Sequence, residues 1–399
     1  MTGEEAEPSP ARRLHRAGQS LWLDSINRAM LRDGTLSRYI SDLALTGLTS
    51  NPTILGRALA AGCDYDDSLR AHLAAGTRHP EELVFAVAME DITAAAEAFR
   101  PVWECTDGVD GYVSIEVSPG LADDTEATIA LARTLHAQAA RPNVLIKVPG
   151  TPPGLVAMEH LVAEGIGVNV TLLFSEHQYR QTAQAYLRAL ERRAAAGRSL
   201  DVPSVASVFV SRWDTAADPL LPANLHTHLG LAVAGEVYAA HRTLLSTQRW
   251  ARLAAAGARP QRVLWASTST KGPELPDTFY VDHLAAVGTI NTMPEQTLLA
   301  YADHGGPVEL MHPDPAAAER AVAAIAAAGI DVEALGESLQ VRGARAFEDD
   351  WSTLLDAIAA KADSFGADPA PSPPDREASV GLASTHASRS RGRVRPRLP

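Results

Sequence analysis

The chain reads as one (β/α)8 TIM barrel, a single domain with additional C-terminal helices, on three observations. About eight short apolar runs of strand length alternate with helical patterns across residues 19–365, the rhythm that closes a parallel sheet into a barrel. No run is followed by G-x-G-x-x-G, the phosphate-binding turn of a doubly wound sheet. Few of the runs end on an apolar residue, and strand ends are where a barrel enzyme keeps its site.

Taken in order, residues 1–18 are expected to be a disordered leader, polar and carrying Pro8 and Pro10. Ser20 to Ile26 reads as a buried strand ending at Asp24, Leu36 to Leu43 as a helix, and Ala44 to Ser50 as a second strand stopped by Asn51-Pro52. A helical stretch covers about Cys63 to Arg100, with Leu83, Val84, Val87 and Ala88 at helical spacing. Tyr112 to Val117 is the third strand. The helix of about Asp123 to Ala140 repeats Ile129, Ala132, Leu135 and Ala139 on its core face. Asn143 to Gly150 holds the fourth strand, and Pro152-Pro153-Gly154 suits the first turn of the next helix. Gly165 to Val170 is read as strand five. Ser175 and Gln178 form a capping box for a helix closed at Gly197. Val205 to Val210, Arg262 to Ser267 and Val287 to Thr292 complete the eight strands, with a long helix at about Leu231 to Ala256 between the first two of them. Helices at about Ala316 to Ala328 and Leu339 to Phe365 follow. Residues 366–399, rich in proline and arginine, are expected to be a disordered tail.

Composition narrows the function. Hydrophobic residues make up 46% and mean hydropathy is -0.07, values of a soluble globular chain. A formal net charge of -13 argues against a nucleic-acid or anionic-membrane partner. There is no run of membrane-spanning length and no signal-peptide pattern at Met1 to Gln19. Cys63 and Cys105 share no metal-like or redox spacing, which points to a reducing compartment and so to the cytoplasm.

The most informative residue is Lys147, inside the apolar run Val144-Leu-Ile-Lys-Val148. Lysine and arginine together number 35, yet lysine occurs only at 147, 271 and 361. A lysine kept here suits a task guanidinium cannot perform, attack on a carbonyl by a desolvated amine. A strand-end lysine with a packed stem and a solvated head is the other reading. The remaining strand ends supply Asp24, Thr49 with Asn51, Glu116, Asn169 with Thr171, Ser207 with Arg212, and the run Ser267-Thr-Ser-Thr-Lys271. Singly, Asp24 or Asn51 is equally a cap, Glu116 a salt-bridge partner and Arg212 a surface cation. Together they amount to an amine nucleophile, two acid/base groups, amides and hydroxyls for a polyol, and cations for a phosphate.

Several strings, Leu23-Asp24-Ser25, Leu48-Thr-Ser-Asn-Pro-Thr53, Val144-Leu-Ile-Lys-Val-Pro-Gly150, Val168-Asn-Val-Thr-Leu-Leu-Phe-Ser175 and Asn291-Thr-Met-Pro294, resemble transaldolase in its longer bacterial and plant-like form. The resemblance runs from about Ser20 to Phe365. It implies Schiff-base transfer of a dihydroxyacetone unit from sedoheptulose 7-phosphate to glyceraldehyde 3-phosphate in the non-oxidative pentose phosphate pathway. It implies sugar phosphates as partners, no cofactor, no metal, and a monomer or homodimer. By that resemblance Lys147 forms the Schiff base, and Asp24 handles the C4 hydroxyl proton. Glu116 with Thr171 positions a water and moves protons. Asn51, Asn169 and Ser207, with Thr49 beside them, bind the three-carbon unit, and Arg212 binds phosphate. Many members carry Ser-Phe-Arg after strand seven, where this chain has Ser267-Thr-Ser-Thr-Lys271, so Lys271 is expected to replace the second phosphate-binding arginine. The rival readings are a fructose 6-phosphate aldolase, a metal-dependent hydrolase built on His226-Thr-His228, and a barrel kept only for binding.

Overall fold

The computed structural model describes residues 8–60, 63–271 and 275–367. Eight parallel strands close on themselves in chain order. They are β1 (Ser20–Asp24), β2 (Leu45–Thr49), β3 (Tyr112–Glu116), β4 (Val144–Pro149), β5 (Val168–Leu173), β6 (Ser204–Phe209), β7 (Arg262–Ala266) and β8 (Ile290–Met293). β1 closes the barrel by pairing with β8, Leu21 opposite Asn291. All eight expected strands are present.

Alternation along β1 shows how the barrel is filled. Ser20, Trp22 and Asp24 share one face, because successive side chains point to opposite sides of a strand. Trp22 lies opposite Gly47 of β2, and a Cβ at Gly47 would stand 2.4 Å from the indole. Glycine is what lets the ring lie across β2. The indole N–H donates to Asp110 Oδ1 at 3.0 Å. Asp110 also accepts from Ser20 and pairs with Arg262, so one carboxylate gathers three donors at the N-terminal end of the barrel. Above Trp22, two residues on, comes Asp24.

Several boundaries differ from expectation for identifiable reasons. The leader expected over residues 1–18 is helical at Pro10–Arg16, where Ser9 caps the helix and Ala11 and Leu14 are buried. Two apolar residues at helical spacing outweigh the polar composition there; residues 1–7 lie outside the described residues. Asn51-Pro52 ends β2 but also opens a helix, Pro52–Ala60, since proline is tolerated at its first turn. The helix expected over 63–100 is two, Asp66–Ala74 and Pro80–Cys105, separated at Gly76 with φ 104°. Strand five begins three residues late because Gly165, at φ 105°, ends the helix Pro152–Glu164. Strand eight is likewise delayed, with Gly288 turning at φ 79°. The helix expected over 231–256 is Leu229–Leu245 followed by Gln248–Ala255, the latter capped by Thr247. The capping box of Ser175 and Gln178 forms with both of its hydrogen bonds.

The last helix, Val332–Ala367, begins seven residues before the expected Leu339. It runs over the C-terminal mouth of the barrel, packing on β5 and on the helices Ser211–Ala217 and Pro52–Ala60. Apart from its last two helical residues, the tail expected over 366–399 lies outside the described residues. No helix among the described residues is long and apolar enough to cross a membrane. Cys63 and Cys105 are free thiols at exposed positions.

Candidate active site

Parallel register sets the floor of the site. Glu116 of β3 lies opposite Lys147 of β4, and Lys147 opposite Asn169 of β5, so three polar side chains stand at one level in neighbouring strands. Lys147 is 5% exposed. Its Nζ lies 2.9 Å from Glu116 Oε2 and donates to the Ser50 carbonyl at 3.1 Å. Those two contacts aim the amine. Beside it, Asn169 Nδ2 donates to Ser114 Oγ at 3.1 Å, and Asn169 Oδ1 accepts from Ser207 Oγ at 2.7 Å.

Asp24 faces this group from β1. Its Oδ1 accepts from Thr49 Oγ1 at 2.7 Å, and Thr49 Oγ1 lies 2.9 Å from Thr292 Oγ1 of β8. Burial pushes the Asp24 carboxyl above its ordinary range, against the opposing pull of Lys147, the Thr49 hydroxyl, Arg212 and Lys271. Burial likewise raises Glu116, offset in part by Lys147 and reinforced by Asp24. Two neighbouring carboxyl groups biased toward their protonated forms beside one amine are suited to exchanging protons with a substrate.

Above this floor opens a cavity of about 230 Å³. Asp24, Thr49, Asn51, Lys147, Thr171, Ser207, Arg212 and Lys271 all line it; Glu116 and Asn169 lie behind this lining. All ten expected residues therefore gather at one mouth. Thr171 Oγ1 is buried without a hydrogen-bonding partner among the described residues, a hydroxyl free to meet a ligand. Asn51 is also a cap, its Oδ1 accepting from the Ile54 amide at 3.0 Å at the start of the helix Pro52–Ala60. The Arg212 guanidinium stacks 4.9 Å from the Phe209 ring centroid. Lys271 Nζ donates to Ser269 Oγ at 3.2 Å. Ser267, ahead of it, is held at φ 55° with its carbonyl accepting from the Ser211 amide at 3.0 Å, a left-handed conformation uncommon for serine.

Other lining residues escaped the sequence reading. Thr292 is the next-to-last residue of β8, inside a motif already quoted, and a threonine carries no charge to mark it. Phe347 comes from the last helix, 200 residues beyond Lys147, and one aromatic in an apolar helix pattern gives no local signal. The His226-Thr-His228 pair gathers no third ligand: His226 Nε2 meets the Leu221 carbonyl at 2.9 Å, and no group of three or more His, Cys, Asp or Glu residues among the described residues is placed to hold a metal.

A closed parallel barrel with a buried lysine amine between two carboxyl groups at its C-terminal mouth has the arrangement needed for imine chemistry on a carbonyl substrate. Residues 21–358 match the family described as Transaldolase/Fructose-6-phosphate aldolase, and the chain belongs to that family. Among its relatives, a transaldolase of Thermobifida fusca is 47% identical over 363 residues, covering 88% of this chain and 98% of that protein. A transaldolase of Parafrankia sp. is 45% identical, covering 88% and 97%. A transaldolase of Thiobacillus denitrificans is 43% identical, covering 86% and 98%.

Proposed function

We propose that the chain is a transaldolase that carries a dihydroxyacetone unit from sedoheptulose 7-phosphate to glyceraldehyde 3-phosphate, giving erythrose 4-phosphate and fructose 6-phosphate, through an imine on Lys147. It serves the non-oxidative pentose phosphate pathway in the cytoplasm. The observation that carries the reading is the buried Lys147 amine, 2.9 Å from the Glu116 carboxyl and facing the cavity that Asp24 also lines.

In this reading the Lys147 amine attacks the C2 ketone of the donor, and the carbinolamine loses water to give an iminium. Glu116, with the Thr171 hydroxyl, takes and returns the protons of that step. Asp24 then removes the C4 hydroxyl proton. The C3–C4 bond breaks, its electron pair enters the iminium and forms an enamine, and the aldose phosphate leaves. The iminium is itself the electron sink, so the cleavage asks for no metal. The enamine adds to the acceptor aldehyde, and the steps run backward to release the product ketose. Thr49, Asn51 through its amide nitrogen, Asn169 and Ser207 hold the hydroxyls of the three-carbon unit. Borohydride reduction in the presence of fructose 6-phosphate, followed by peptide mass mapping, tests the assignment. An adduct on Lys147 is expected; an adduct on Lys271 or Lys361, or none, would refute it.

Arg212 and Lys271 bind the substrate phosphate in this reading, one as a planar fork and the other as a point charge. Phosphate is remote from the reacting carbons, so these contacts act mainly on binding and positioning. Lys271→Ala is expected to raise KM for fructose 6-phosphate by an amount equivalent to about 1.5–3 kcal/mol, the loss of one charge-assisted hydrogen bond. Fructose should barely register the change. Equal effects on the phosphorylated and unphosphorylated sugars would remove Lys271 from the phosphate site.

A further inference from the structure

The last helix lays one stripe over the mouth, buried Gly336, Gly343 and Phe347 with half-buried Gln340, at the four- and three-residue steps that keep a single face toward the barrel. Gln340 Nε2 donates to the carbonyls of Gly150 at 3.1 Å and Leu172 at 3.0 Å, tying the helix to the ends of β4 and β5. A Cβ on Gly343 would stand 3.0 Å from the Leu172 side chain and 3.3 Å from Arg212 Nη1, so glycine sets how deep the helix sits. On the far side, Thr53 Oγ1 donates to Asp350, and Trp351 Nε1 donates to Glu81 Oε1 at 3.1 Å. Between these ties Phe347 is 5% exposed, its ring centroid 5.7 Å from Lys147 Nζ and 5.9 Å from Arg212 Cζ. It is the apolar cover over the amine and the guanidinium at once.

An enamine on Lys147 has two fates. In transfer, its carbon attacks the acceptor aldehyde and a C–C bond forms. In release, that carbon takes a proton, water adds across the resulting C=N bond, and the C–N bond breaks to return the amine and free dihydroxyacetone. Either fate finally consumes one water to free the amine. What sets release apart is protonation of the enamine carbon before the acceptor arrives, and an apolar cover that keeps water, the nearest proton carrier, off that carbon favours transfer. The two activities in the family's description, transaldolase and fructose-6-phosphate aldolase, correspond to whether the three-carbon unit is passed on or let go.

We propose that Phe347 is the positioning residue that sets the partition between these fates, by holding an apolar ring in the cavity wall beside the imine nitrogen. This rests on the reading of Lys147 as the imine-forming residue. The ring itself does no proton chemistry.

The test supplies fructose 6-phosphate and erythrose 4-phosphate and measures dihydroxyacetone released against sedoheptulose 7-phosphate formed. Phe347→Ala is expected to raise that ratio about tenfold, and Phe347→Leu, which keeps a smaller apolar cover, about two- to threefold. Thermal melts establish which variants fold, and where the alanine variant does not, the leucine variant decides. A merely structural role lowers both rates together and leaves the ratio unchanged, which would overturn the proposal. Borohydride trapping on the wild-type enzyme separates the two readings. No adduct on Lys147 overturns the imine assignment, while an adduct with an unchanged ratio in the folded variant overturns the role of Phe347 alone.

Discussion

Lys147→Arg is expected to fold and to lose turnover by about 10⁴-fold or more, the scale on which removing a covalent nucleophile acts. The guanidinium keeps a positive charge beside Glu116, so the buried carboxyl retains an ionic partner. It does not lose its proton in a protein, so no amine lone pair is available to attack the ketone. Lys147→Met provides the contrast. It strands Glu116 without its cation, but burial already pushes that carboxyl upward. Glu116 then takes up a proton, and the destabilisation stays below the roughly 3–5 kcal/mol seen when a buried charge is left unpaired. Turnover, borohydride trapping and melting temperature of both variants check this. Residual turnover of Lys147→Arg within tenfold of wild type would end the role of Lys147 as nucleophile.

Asp24→Asn is expected to lower kcat by about 10²–10⁴-fold, the range for losing a general acid/base, and to make the protein more stable at neutral pH. The amide still accepts from Thr49 Oγ1, so the local geometry survives. Burial holds the folded-state pKa of Asp24 above its ordinary value of 3.8. The contribution of such a group to stability is full below its unfolded pKa and is lost as pH rises through the folded one. At neutral pH the native state therefore bears the cost of a desolvated carboxylate, which asparagine removes. Melting temperatures should differ most near neutrality and converge below about pH 3, where the carboxyl is largely protonated whether folded or not. A variant that melts lower than wild type at neutral pH would show that attraction to Lys147 and Arg212 outweighs burial.

Strand identity was legible because each strand is an apolar run of strand length, and the strand ends were legible because a charge inside such a run is conspicuous. Lys147, Glu116 and Asp24 announce themselves in this way. Helix boundaries were harder. Gly165 looked like the start of a strand because the next residues are apolar, whereas its left-handed backbone ends the preceding helix. The helix at Pro10–Arg16 was hidden by polar composition, since only Ala11, Leu14 and the Ser9 cap support it. The sequence offers Asn51 as a cap or a substrate residue, and the structure has it capping the helix Pro52–Ala60 at the edge of the cavity, so a cap does not by itself remove a side chain from the site. Phe347 lay out of reach because its contact with Lys147 is tertiary. No spacing along the chain places residue 347 over residue 147.

That last contact orders events during synthesis. Pairing of Leu21 with Asn291 closes the barrel only after β8 has emerged, and the mouth is covered only once residues 336–347 follow. A ribosome adding about 5–20 residues per second makes the end of the barrel and this cover seconds apart. In that interval the nascent chain has its amine and both carboxyl groups but nothing over them. A fragment that stops before Val332 would be a nearly whole barrel with an open pot at its top. The apolar face left bare around Leu172, Phe174 and Trp213 would then be exposed to chaperones and proteases, and the cell would have a physical mark distinguishing an unfinished copy from a finished one.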